Sequence, residues 1–562
     1  NEQSIEQIPN RGYLSTVSKI LNFGLGNEES IDSLVVHWNS GKRQVLLDVD
    51  INQVLTLEEK NGQAFQRSKI ETNPTFEEIS APISFVHKNE TVNDFKRQSL
   101  LLKQPSHSGP CMIKGDVNND GLEDIFVGGS TGQVSALFVQ STNGDFKRKK
   151  VMAFDDDKIK EDSDATFFDA NNDGHQDLYV ASGGYHNFKE NDQQLQDRLY
   201  FGDGQGGFSK SVNALPNMYT STDAVAVNDI NGDGFMDLFV GGRIVPGRYP
   251  ETPESYILMN DGEGRFTDQI ETIAPELQQI GMVTDAVWAD INSDTTQDLI
   301  VLGEWMPISV FINKNGKLEN ATSTYFEEPL SGFWNTLQLG DLNKDGKTDI
   351  LAGNMGTNPQ FKVSSSEPAE MFFDDFDDNG SVDPIFCFYI QGESYPYLTR
   401  DELLGQLANL RSKFTSYKDY ADAQLDDIFS ADEIKGANKL IANRMQTTLL
   451  LSGPEDKFTI ATLPEQAQYS PIYAIKLHDF NADGNLDILL LGNDHFFKLR
   501  LGKFDANYGT LLLGNGKGEF NYLNQIHSGL DIRGAVKSSL LIEDKLFLGI
   551  NNGSLKTYQF SK

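Results

Sequence analysis

The chain has 562 residues, of which 38% are hydrophobic and 10% aromatic, so it can bury a large core and disorder is not expected. Its 82 acidic side chains outnumber its 47 Lys and Arg side chains and give a formal net charge of -35, which argues against nucleic acid as a partner. Two cysteines are too few for a disulfide framework or a zinc cluster, and the sequence contains no apolar run of about 18 residues that could span a membrane.

Residues 1–60 differ in pattern from the rest of the chain. Short apolar runs alternate with glycine, as in Phe23-Gly-Leu-Gly26 and Ser33-Leu-Val-Val-His-Trp38-Asn-Ser-Gly41. This pattern predicts a small domain of short antiparallel strands joined by turns. The polar residues 61–75 predict a linker, and residues 76–562 predict a second, larger domain.

One nine-residue pattern recurs seven times in the second domain. Its first copy, Asp116–Asp124, has side-chain oxygens at positions 1, 3, 5 and 9 and glycine at position 6. The other copies begin at Asp169, Asp229, Asp290, Asp341, Asp375 and Asp479. A fixed unit repeated along a long chain predicts a propeller or a solenoid.

The spacing within each copy favours calcium. Hard oxygen ligands alternate along a tight loop, with no imidazole or thiolate among them. Position 7 would contribute its backbone carbonyl, and glycine at position 6 would take the positive φ that folds the loop round the ion. The predicted ligands, for up to about seven Ca²⁺ ions, are Asp116, Asn118, Asp120, Leu122, Asp124, Asp169, Asn171, Asp173, His175, Asp177, Asp229, Asn231, Asp233, Phe235, Asp237, Asp290, Asn292, Asp294, Thr296, Asp298, Asp341, Asn343, Asp345, Lys347, Asp349, Asp375, Asp377, Asn379, Ser381, Asp383, Asp479, Asn481, Asp483, Asn485 and Asp487.

The alternative is a set of hairpins with Asx-turns and no metal, since Asp, Asn and Gly also form ordinary turns. Crowding of carboxylates in seven loops favours the metal, because unneutralised charges would repel one another. In the fourth copy Thr295 replaces glycine, which leaves the ligand set intact but puts the geometry of that loop in question.

Strand-like apolar runs follow the loops, and Asn-Gly or Asp-Gly hairpins follow those runs. A four-stranded unit about every 50–60 residues predicts an all-β propeller. The Asp375 loop follows the Asp341 loop too closely for a full blade and is predicted between outer strands of the fifth blade. A strand near residues 76–87 is predicted to complete the last hairpin and close a ring of seven blades, with eight as the alternative.

The loops and their flanking strands resemble FG-GAP/VCBS repeats, the calcium-loop blades of the integrin α-subunit head. The segments Gly24-Leu-Gly26 and Trp38-Asn-Ser-Gly41 resemble the second half of an ASPIC/UnbV domain, with Asn39 where that family has proline. The whole chain resembles VCBS-repeat surface proteins of Bacteroidetes and, more distantly, the cartilage acidic protein family. The resemblance implies an integrin-like calcium-binding β-propeller that follows the C-terminal part of an ASPIC/UnbV domain.

Loops of this type are generally filled by the high calcium found outside cells. We therefore expect an extracellular or bacterial cell-surface protein, associated with the outer membrane through a targeting segment ahead of residue 1 and accessory to nutrient uptake there.

Two capping boxes, Thr399-Arg-Asp-Glu402 and Ser430-Ala-Asp-Glu433, predict a helical insertion over residues 399–441. Its first helix would place Leu403, Leu404, Leu407 and Leu410 on one face. We expect the insertion to pack as a cap on the propeller, with a docking surface as the alternative.

The loops after the second strand of each blade should emerge at the end of the ring opposite to the calcium loops. They are long and rich in aromatic and basic residues, which predicts a binding face for a glycan or a partner protein. The residues predicted to contact it are Tyr185, His186, Arg243, Arg248, Tyr249, Trp305, His495 and Arg500. For Trp305 the alternative is a plug in the central channel.

We found no Gly-x-Ser-x-Gly, His-Glu-x-x-His or phosphate-loop motif. The prediction is therefore a non-catalytic binding module. The alternative is a polysaccharide lyase, in which a His or Tyr with Arg would abstract a proton beside a uronate.

Overall fold

The computed structural model describes residues 3–26, 28–65, 73–453 and 457–560. The chain divides into two units, Asn1–Thr72 and Asn73–Lys562. Part of the predicted linker, residues 66–72, lies outside the described residues.

The first unit is a small β structure. Its strands are β1 (Asn10–Gly12) and β2 (Ser15–Thr16), which pair with each other, and β3 (Ser30–His37), β4 (Lys42–Asp50) and β5 (Gln63–Ala64), which form one antiparallel sheet. The turn between β3 and β4 is the Trp38–Gly41 segment, in which Gly41 takes a φ of 82°. Trp38 N donates to Lys42 O (2.8 Å) and closes this turn.

The second unit contains seven blades, each built on four antiparallel strands. Within a blade the strands lie side by side in the order first, second, third and fourth. The strand β6 (Phe76–Ile79) belongs to the last of them. The first four sheets consist of β7 (Met112–Gly115), β8 (Asp124–Val127), β9 (Ala136–Gln140) and β10 (Phe146–Lys149); β11 (Glu161–Phe168), β12 (Asp177–Gly183), β13 (Arg198–Gly202) and β14 (Phe208–Lys210); β15 (Ser221–Asn228), β16 (Asp237–Ile244), β17 (Tyr256–Asn260) and β18 (Phe266–Asp268); and β19 (Met282–Ala289), β20 (Asp298–Pro307), β21 (Ser309–Asn313) and β22 (Leu318–Asn320), with β23 (Ser331–Phe333) beside β20.

The remaining strands complete three further blades and one additional sheet. They are β24 (Thr336–Gly340), β25 (Asp349–Gly353), β26 (Ala369–Asp374), β27 (Asp383–Ile390), β28 (Glu393–Pro396), β29 (Asn438–Ala442), β30 (Thr448–Ser452), β31 (Phe458–Ala461), β32 (Ile472–His478), β33 (Asp487–Gly492), β34 (Thr510–Gly514), β35 (Phe520–Leu523), β36 (Val536–Ile542), β37 (Lys545–Ile550) and β38 (Lys556–Phe560). Blade five is β24-β25-β30-β31, blade six is β32-β33-β34-β35, and blade seven is β36-β37-β38-β6.

The seven blades form a closed ring. The first strand of each blade contacts the first strand of the next, from β7 through β11, β15, β19, β24 and β32 to β36, and β36 contacts β7. In the last blade the N-terminal strand β6 pairs with β38, with Phe76 opposite Phe560. The predicted seven-bladed propeller, closed by an N-terminal strand, is confirmed.

The apolar core lies between neighbouring blades. The second strand begins at position 9 of the repeated loop, and the residue that follows position 9 is fully buried in six blades. These residues are Ile125, Leu178, Leu238, Leu299, Ile350 and Ile488. Burial of the strand directly behind each loop fixes the loop at one end of its blade.

The Asp375 loop belongs to an additional sheet, so its predicted position between outer strands of blade five is wrong. This sheet has the order β28-β27-β26-β29 and is inserted between β25 and β30. The loop joins β26 to β27. The outer strands of blade five, β30 and β31, pair directly with each other, and the inserted sheet leaves the chain before them, between β25 and β30.

The helices are short. They are α1 (Met152–Asp156), α2 (Ile270–Ile273), α3 (Thr322–Tyr325), α4 (Arg400–Gln406), α5 (Tyr417–Tyr420), α6 (Leu425–Ile428), α7 (Ala431–Gly436) and α8 (Gln525–Ser528). Among the residues that the structure describes, the 3-10 helices are Glu59–Asn61, Asp94–Lys96, Gln193–Leu195, Pro275–Leu277, Ala408–Ser412 and Glu465–Gln468.

The helical insertion follows β28 and is stabilised by the predicted capping boxes at Thr399 and Ser430. It ends at Gly436, because the last residues of the predicted 399–441 span form β29 against β26. Leu410 lies in a 3-10 helix beyond α4, so the predicted four-leucine face is broken between two elements. Leu403, Leu404 and Leu407 nevertheless pack with Ile385 and Cys387 of β27, as a packed cap requires.

The loops after the second strands are covered by the chain itself. Residues of these loops, of the inserted sheet and of the segment after β6 share one buried cluster. Within it Trp305 packs against Phe333 (4.6 Å between ring centroids) and Phe361 against Phe386 (4.9 Å). The end of the propeller predicted to bind a ligand is therefore largely an internal surface.

Candidate functional site

Six loops share one pattern of hydrogen bonds, shown by the first copy. Asp116 accepts from the backbone N–H of Asp120 (3.1 Å) and Gly121 (2.8 Å), and Asp120 accepts from Leu122 N (2.9 Å). Asn118 accepts from Asp120 N and donates to the Asp120 carboxylate (3.0 Å). The side-chain oxygens at positions 1, 3 and 5 are thus gathered inside one tight turn.

The aspartate at position 9 is held by the sheet. Asp124 is fully buried and accepts from Val117 N (3.1 Å) in the loop and from Gln140 N (2.8 Å) on the third strand. Burial raises its pKa to about 6, the two backbone donors lower it, and the Asp120 and Asp116 carboxylates raise it further. A cation in the loop would relieve this repulsion.

Two positions of the loop require a left-handed backbone. At position 6 the six glycines have φ values between 81° and 92°, and Thr295 adopts 74° in the fourth loop. Position 4, which the sequence pattern did not single out, is also left-handed in all seven copies. Its residues are Asn119, Asn172, Gly232, Ser293, Lys344, Asp378 and Ala482. The Thr295 loop keeps the common hydrogen bonds, since Thr295 N donates to Asp290 Oδ2 (2.9 Å).

The Asp375 loop has the strongest carboxylate cluster among the described residues. Oxygens of Asp375, Asp377 and Asp383 all lie within 4.8 Å of one another. This loop has aspartate at position 3, where the other six have asparagine. Asp377 Oδ1 is buried without a hydrogen-bond partner in the described structure.

The helical insertion supports this cluster directly. Gln406 Nε2 of α4 donates to Asp383 Oδ1 (2.7 Å), in the place that a third-strand N–H takes in the other loops. Arg248 of the blade-three loop donates to Gly380 O (3.3 Å). The Asp375 loop therefore lies beside a second-strand loop and not at the end of the ring that carries the other six.

The residues present fit a hard divalent cation. The donor set is all oxygen: three carboxylates lie in one cluster, and one of them, Asp377, has a buried oxygen without a hydrogen-bond partner. Asp375, Asp377, Asn379 and Asp383 would hold Ca²⁺ through their side chains and Ser381 through its carbonyl. Bound calcium would offset most of the negative charge of the cluster and cross-link the turn.

Three residues predicted to contact a ligand lie inside the protein, and that prediction is wrong for them. Tyr185, Tyr249 and Trp305 are each 5% exposed or less and belong to the covered cluster. Trp305 Nε1 donates to Tyr249 Oη (2.7 Å), which satisfies both polar groups internally. These apolar side chains are buried under the inserted sheet because the hydrophobic effect favours their removal from water. They are therefore not available to a ligand.

The predicted arginines make internal contacts as well. Arg243 forms a buried ion pair with Glu304 (2.6 Å), so it cannot serve as a free ligand contact. Arg248 donates to Glu251 Oε1 (2.6 Å). The Arg500 guanidinium lies over the Tyr397 ring at 3.7 Å and near Glu402 of α4. The loop arginines therefore connect elements of the fold.

The two predicted histidines differ. His186 is one quarter exposed and its Nδ1 is 3.0 Å from the Asp94 carboxylate. His495 is partly buried, burial lowers its pKa, and its Nε2 has no partner among the described residues. Asp94 was missed by the sequence argument because it lies in the segment after β6, which carries no motif.

The family comparisons agree with the motifs. Residues 1–64 match the ASPIC and UnbV family, and residues 116–180, 169–240 and 290–352 match the FG-GAP-like repeat. The chain thus carries an ASPIC/UnbV domain at its N-terminus followed by FG-GAP-like repeats. The Asp375 and Asp479 loops lie beyond the matched segments.

Solved structures with a related arrangement share little sequence with the chain, and no curated protein sequence matches it significantly. BBS1N in complex with ARL6DN, soaked with lead, is 10% identical, covers 87% of this chain and 98% of its own, and has a TM-score of 0.39. The V. cholerae biofilm matrix protein Bap1 is 11% identical, with coverages of 85% and 91% and a TM-score of 0.33. The computationally designed Ika8 protein is 10% identical, with coverages of 82% and 99% and a TM-score of 0.34. Likeness at this level carries no weight for function.

Proposed function

We propose that this chain is a calcium-stabilised, non-catalytic binding propeller that works outside the cell. The observation that carries the calcium part is the Asp375–Asp377–Asp383 cluster with its unpartnered buried oxygen. Six further loops bring a similar oxygen set into one turn each. A cation bound only by the folded chain stabilises it by mass action, about 2.7 kcal/mol per site at a hundredfold excess over Kd.

Thermal unfolding in millimolar calcium and in excess chelator tests this proposal. We expect a higher melting temperature in calcium, and a smaller calcium-dependent rise for Asp377→Ala. The matched control is Ser381→Ala in the same loop, because position 7 would bind only through its backbone carbonyl. Identical melting curves with calcium and chelator would show that the loops are metal-free Asx-turns.

The location rests on calcium supply and on the family resemblance. Micromolar or weaker loops of this type stay empty in cytosol and fill in extracellular fluid. We propose a bacterial surface location, with a glycan or a surface protein as partner. Within the described residues, no helix is both long and apolar enough to cross a membrane. Fractionation of cells that express the full-length gene product tests this, and recovery in the cytoplasm would contradict it.

A polysaccharide lyase is the second candidate function, and the contact between His186 and Asp94 supports it. Asp94 orients His186 through Nδ1, which leaves Nε2 available as a base. The nearby Arg97 donates to the carbonyl oxygens of His186 (2.8 Å) and Phe188 (2.7 Å). Turnover of uronate polymers, followed by absorbance of the unsaturated product and abolished by His186→Ala, would establish the lyase.

A further inference from the structure

An open groove of about 610 Å³ lies where blade one meets blade seven. One wall is the extended segment after β6, in which Ile83, Phe85 and His87 point inward and are buried. Its exposed alternate residues, Ser84, Val86 and Lys88, line the groove. The volume is typical of sites that bind small molecules or short oligomers.

The opposite wall is the loop between β8 and β9, residues 131–134, with Arg148 of β10 beside it. Phe146, on the same face of β10 as Arg148, packs against Phe547 of blade seven (5.6 Å between ring centroids). Arg148 is therefore directed to the blade-seven side. Its neighbour Lys147 faces the other way and does not line the groove.

The two walls are tied together. Gln133 donates to Val86 O (2.8 Å) and accepts from Lys88 N (3.1 Å). Ser130 donates to the Lys88 carbonyl. On the outer side, His87 N donates to Gly553 O (2.9 Å). The groove is preformed, so a ligand would order little of the chain on binding.

The groove is positive in a strongly negative protein. None of its ten lining residues is acidic, although the chain has 82 carboxylates and 47 Lys and Arg side chains. Within the described part of the chain, Lys88 and Arg148 are exposed and show no ion pair. Glu161 lies beneath Thr131 (3.2 Å), and burial raises its pKa to about 7. Other basic residues of the fold, such as Arg243, already have carboxylate partners.

We propose that this groove binds an acidic oligosaccharide, with Lys88 and Arg148 pairing with carboxylates of the sugar chain. The Arg fork suits a carboxylate in two-point contact, and the exposed Val86 with the partly buried Val134 provides apolar area for the faces of sugar rings. The inference rests on the proposed binding function. It assigns that function to an accessible groove and to one class of ligand, because the loops at the covered end of the propeller are buried.

Calorimetric titration with trigalacturonic acid, on the full chain in saturating calcium, tests the groove. We expect binding that weakens with added salt and falls about tenfold in the Lys88→Ala, Arg148→Ala double variant, as two exposed ion pairs are lost. The control is Lys147→Ala, which removes one positive charge from the other face of β10 and should leave the Kd unchanged. Circular dichroism checks that each variant folds.

The methyl ester of the same trisaccharide separates charge from shape and should bind more weakly by a similar factor. Equal binding of acid and ester, no effect of the double variant, or equal loss with Lys147→Ala would each overturn the proposal. Binding of a short poly-glutamate peptide in place of the sugar would also overturn it and assign the groove to acidic peptides. The calcium-dependent melting shift reports on the proposed function separately, so the two can fail independently.

Discussion

At the scale of single residues, the seven repeated loops depend on backbone conformations that few side chains tolerate. Thr295 is β-branched and sits at a φ of 74°, where the other six loops have glycine. A left-handed conformation costs a residue of this kind about 1–2 kcal/mol. Asparagine adopts it more readily.

Replacing Thr295 by Asn should therefore stabilise the protein by about 1 kcal/mol, measured as the urea midpoint at constant slope. The neighbouring change Thr296→Asn is the control and should bring no gain, because the left-handed φ belongs to residue 295 and not to residue 296. Equal effects at the two positions would show that the Thr295 loop is not strained.

His87 makes stability depend on pH. It is 1% exposed, its Nδ1 accepts from Asn552 N (3.1 Å), and burial lowers its pKa to about 4. Above its ordinary pKa of 6.5 the side chain is neutral in both states. As the pH falls from 6.5 to 4, His87 becomes protonated in the unfolded chain but stays neutral in the folded chain. Up to roughly 3 kcal/mol of stability is therefore lost.

His87→Asn keeps an acceptor for the Asn552 N–H but does not titrate. We expect its free energy of unfolding to fall less steeply than that of the wild type between pH 6.5 and 4. His527→Asn, on the exposed α8, is the control and should follow the wild-type profile. A wild-type slope in the His87 variant would show that other groups cause the loss.

At the scale of elements, the ring closes through β6. Phe76 is 1% exposed and packs against Phe480 and Phe560, at 5.1 and 5.7 Å between ring centroids. Phe76→Ala should lower the free energy of unfolding by about 3–5 kcal/mol, as measured by urea titration. Glu77→Ala, one residue along and exposed on the same strand, should change stability by less than about 0.5 kcal/mol. A small effect of Phe76→Ala would mean that blade seven is stable without its fourth strand.

The elements predicted well from the sequence are those specified locally. Each loop motif, the buried strand behind it and each Asn-Gly or Asp-Gly hairpin is specified by a short stretch of neighbouring residues. Closure by β6 could also be predicted, because the last hairpin lacked a fourth strand. The inserted sheet could not, since β26 pairs with β29 across more than 60 residues of sequence and the helices between them mask the pairing.

The prediction of ligand-contacting residues was wrong for the same reason: it depended on contacts between segments that lie far apart in sequence. Long loops with Tyr, Trp and Arg indicate binding only when nothing in the chain covers them. Here the inserted sheet and the segment after β6 cover them, and no periodicity in the sequence specifies that contact. Two contacts hold the segment after β6 in place, Asp94 with His186 and Lys103 with Glu304. Each joins residues that lie far apart in sequence and meet only in the folded chain.

At the scale of the whole molecule, the first strands share a repeated irregularity around the central axis. A break in register occurs near the start of the first strand in blades two, three, four, six and seven. Polar side chains at these breaks connect neighbouring blades. Asp164 accepts from Val225 N (2.9 Å) on the next blade, and Asp285 accepts from Leu337 N (2.7 Å). The ring is thus joined by hydrogen bonds as well as by the apolar core between blades.

One buried charge cluster links the ring to the segment after β6, which covers the second-strand loops and is called the covering segment here. Glu304 of blade four accepts from Tyr249 (2.8 Å) and pairs with Lys103 of the covering segment (3.0 Å) and Arg243 of blade three (2.6 Å). Burial alone would raise the pKa of Glu304, but Lys103 and Arg243 lower it to about 2. Because the pKa is depressed in the folded state, the stabilisation is present above pH 4.5 and is lost as the pH falls from 4.5 through 2.

Glu304→Gln should therefore destabilise the protein at pH 7, by about 3–5 kcal/mol, because Lys103 loses its carboxylate partner and Arg243 keeps only the more distant Asp223 (3.6 Å). It should also reduce the remaining loss of stability between pH 4.5 and 2. The control Glu319→Gln removes a carboxylate from an exposed pair with Lys314 (2.7 Å) and should change neither quantity appreciably. Urea titrations at pH 7 and at a series of lower pH values measure both. If Glu304→Gln is as stable as the wild type at pH 7, the covering segment is held by its apolar contacts alone, and the charge cluster contributes nothing to closing that end of the propeller.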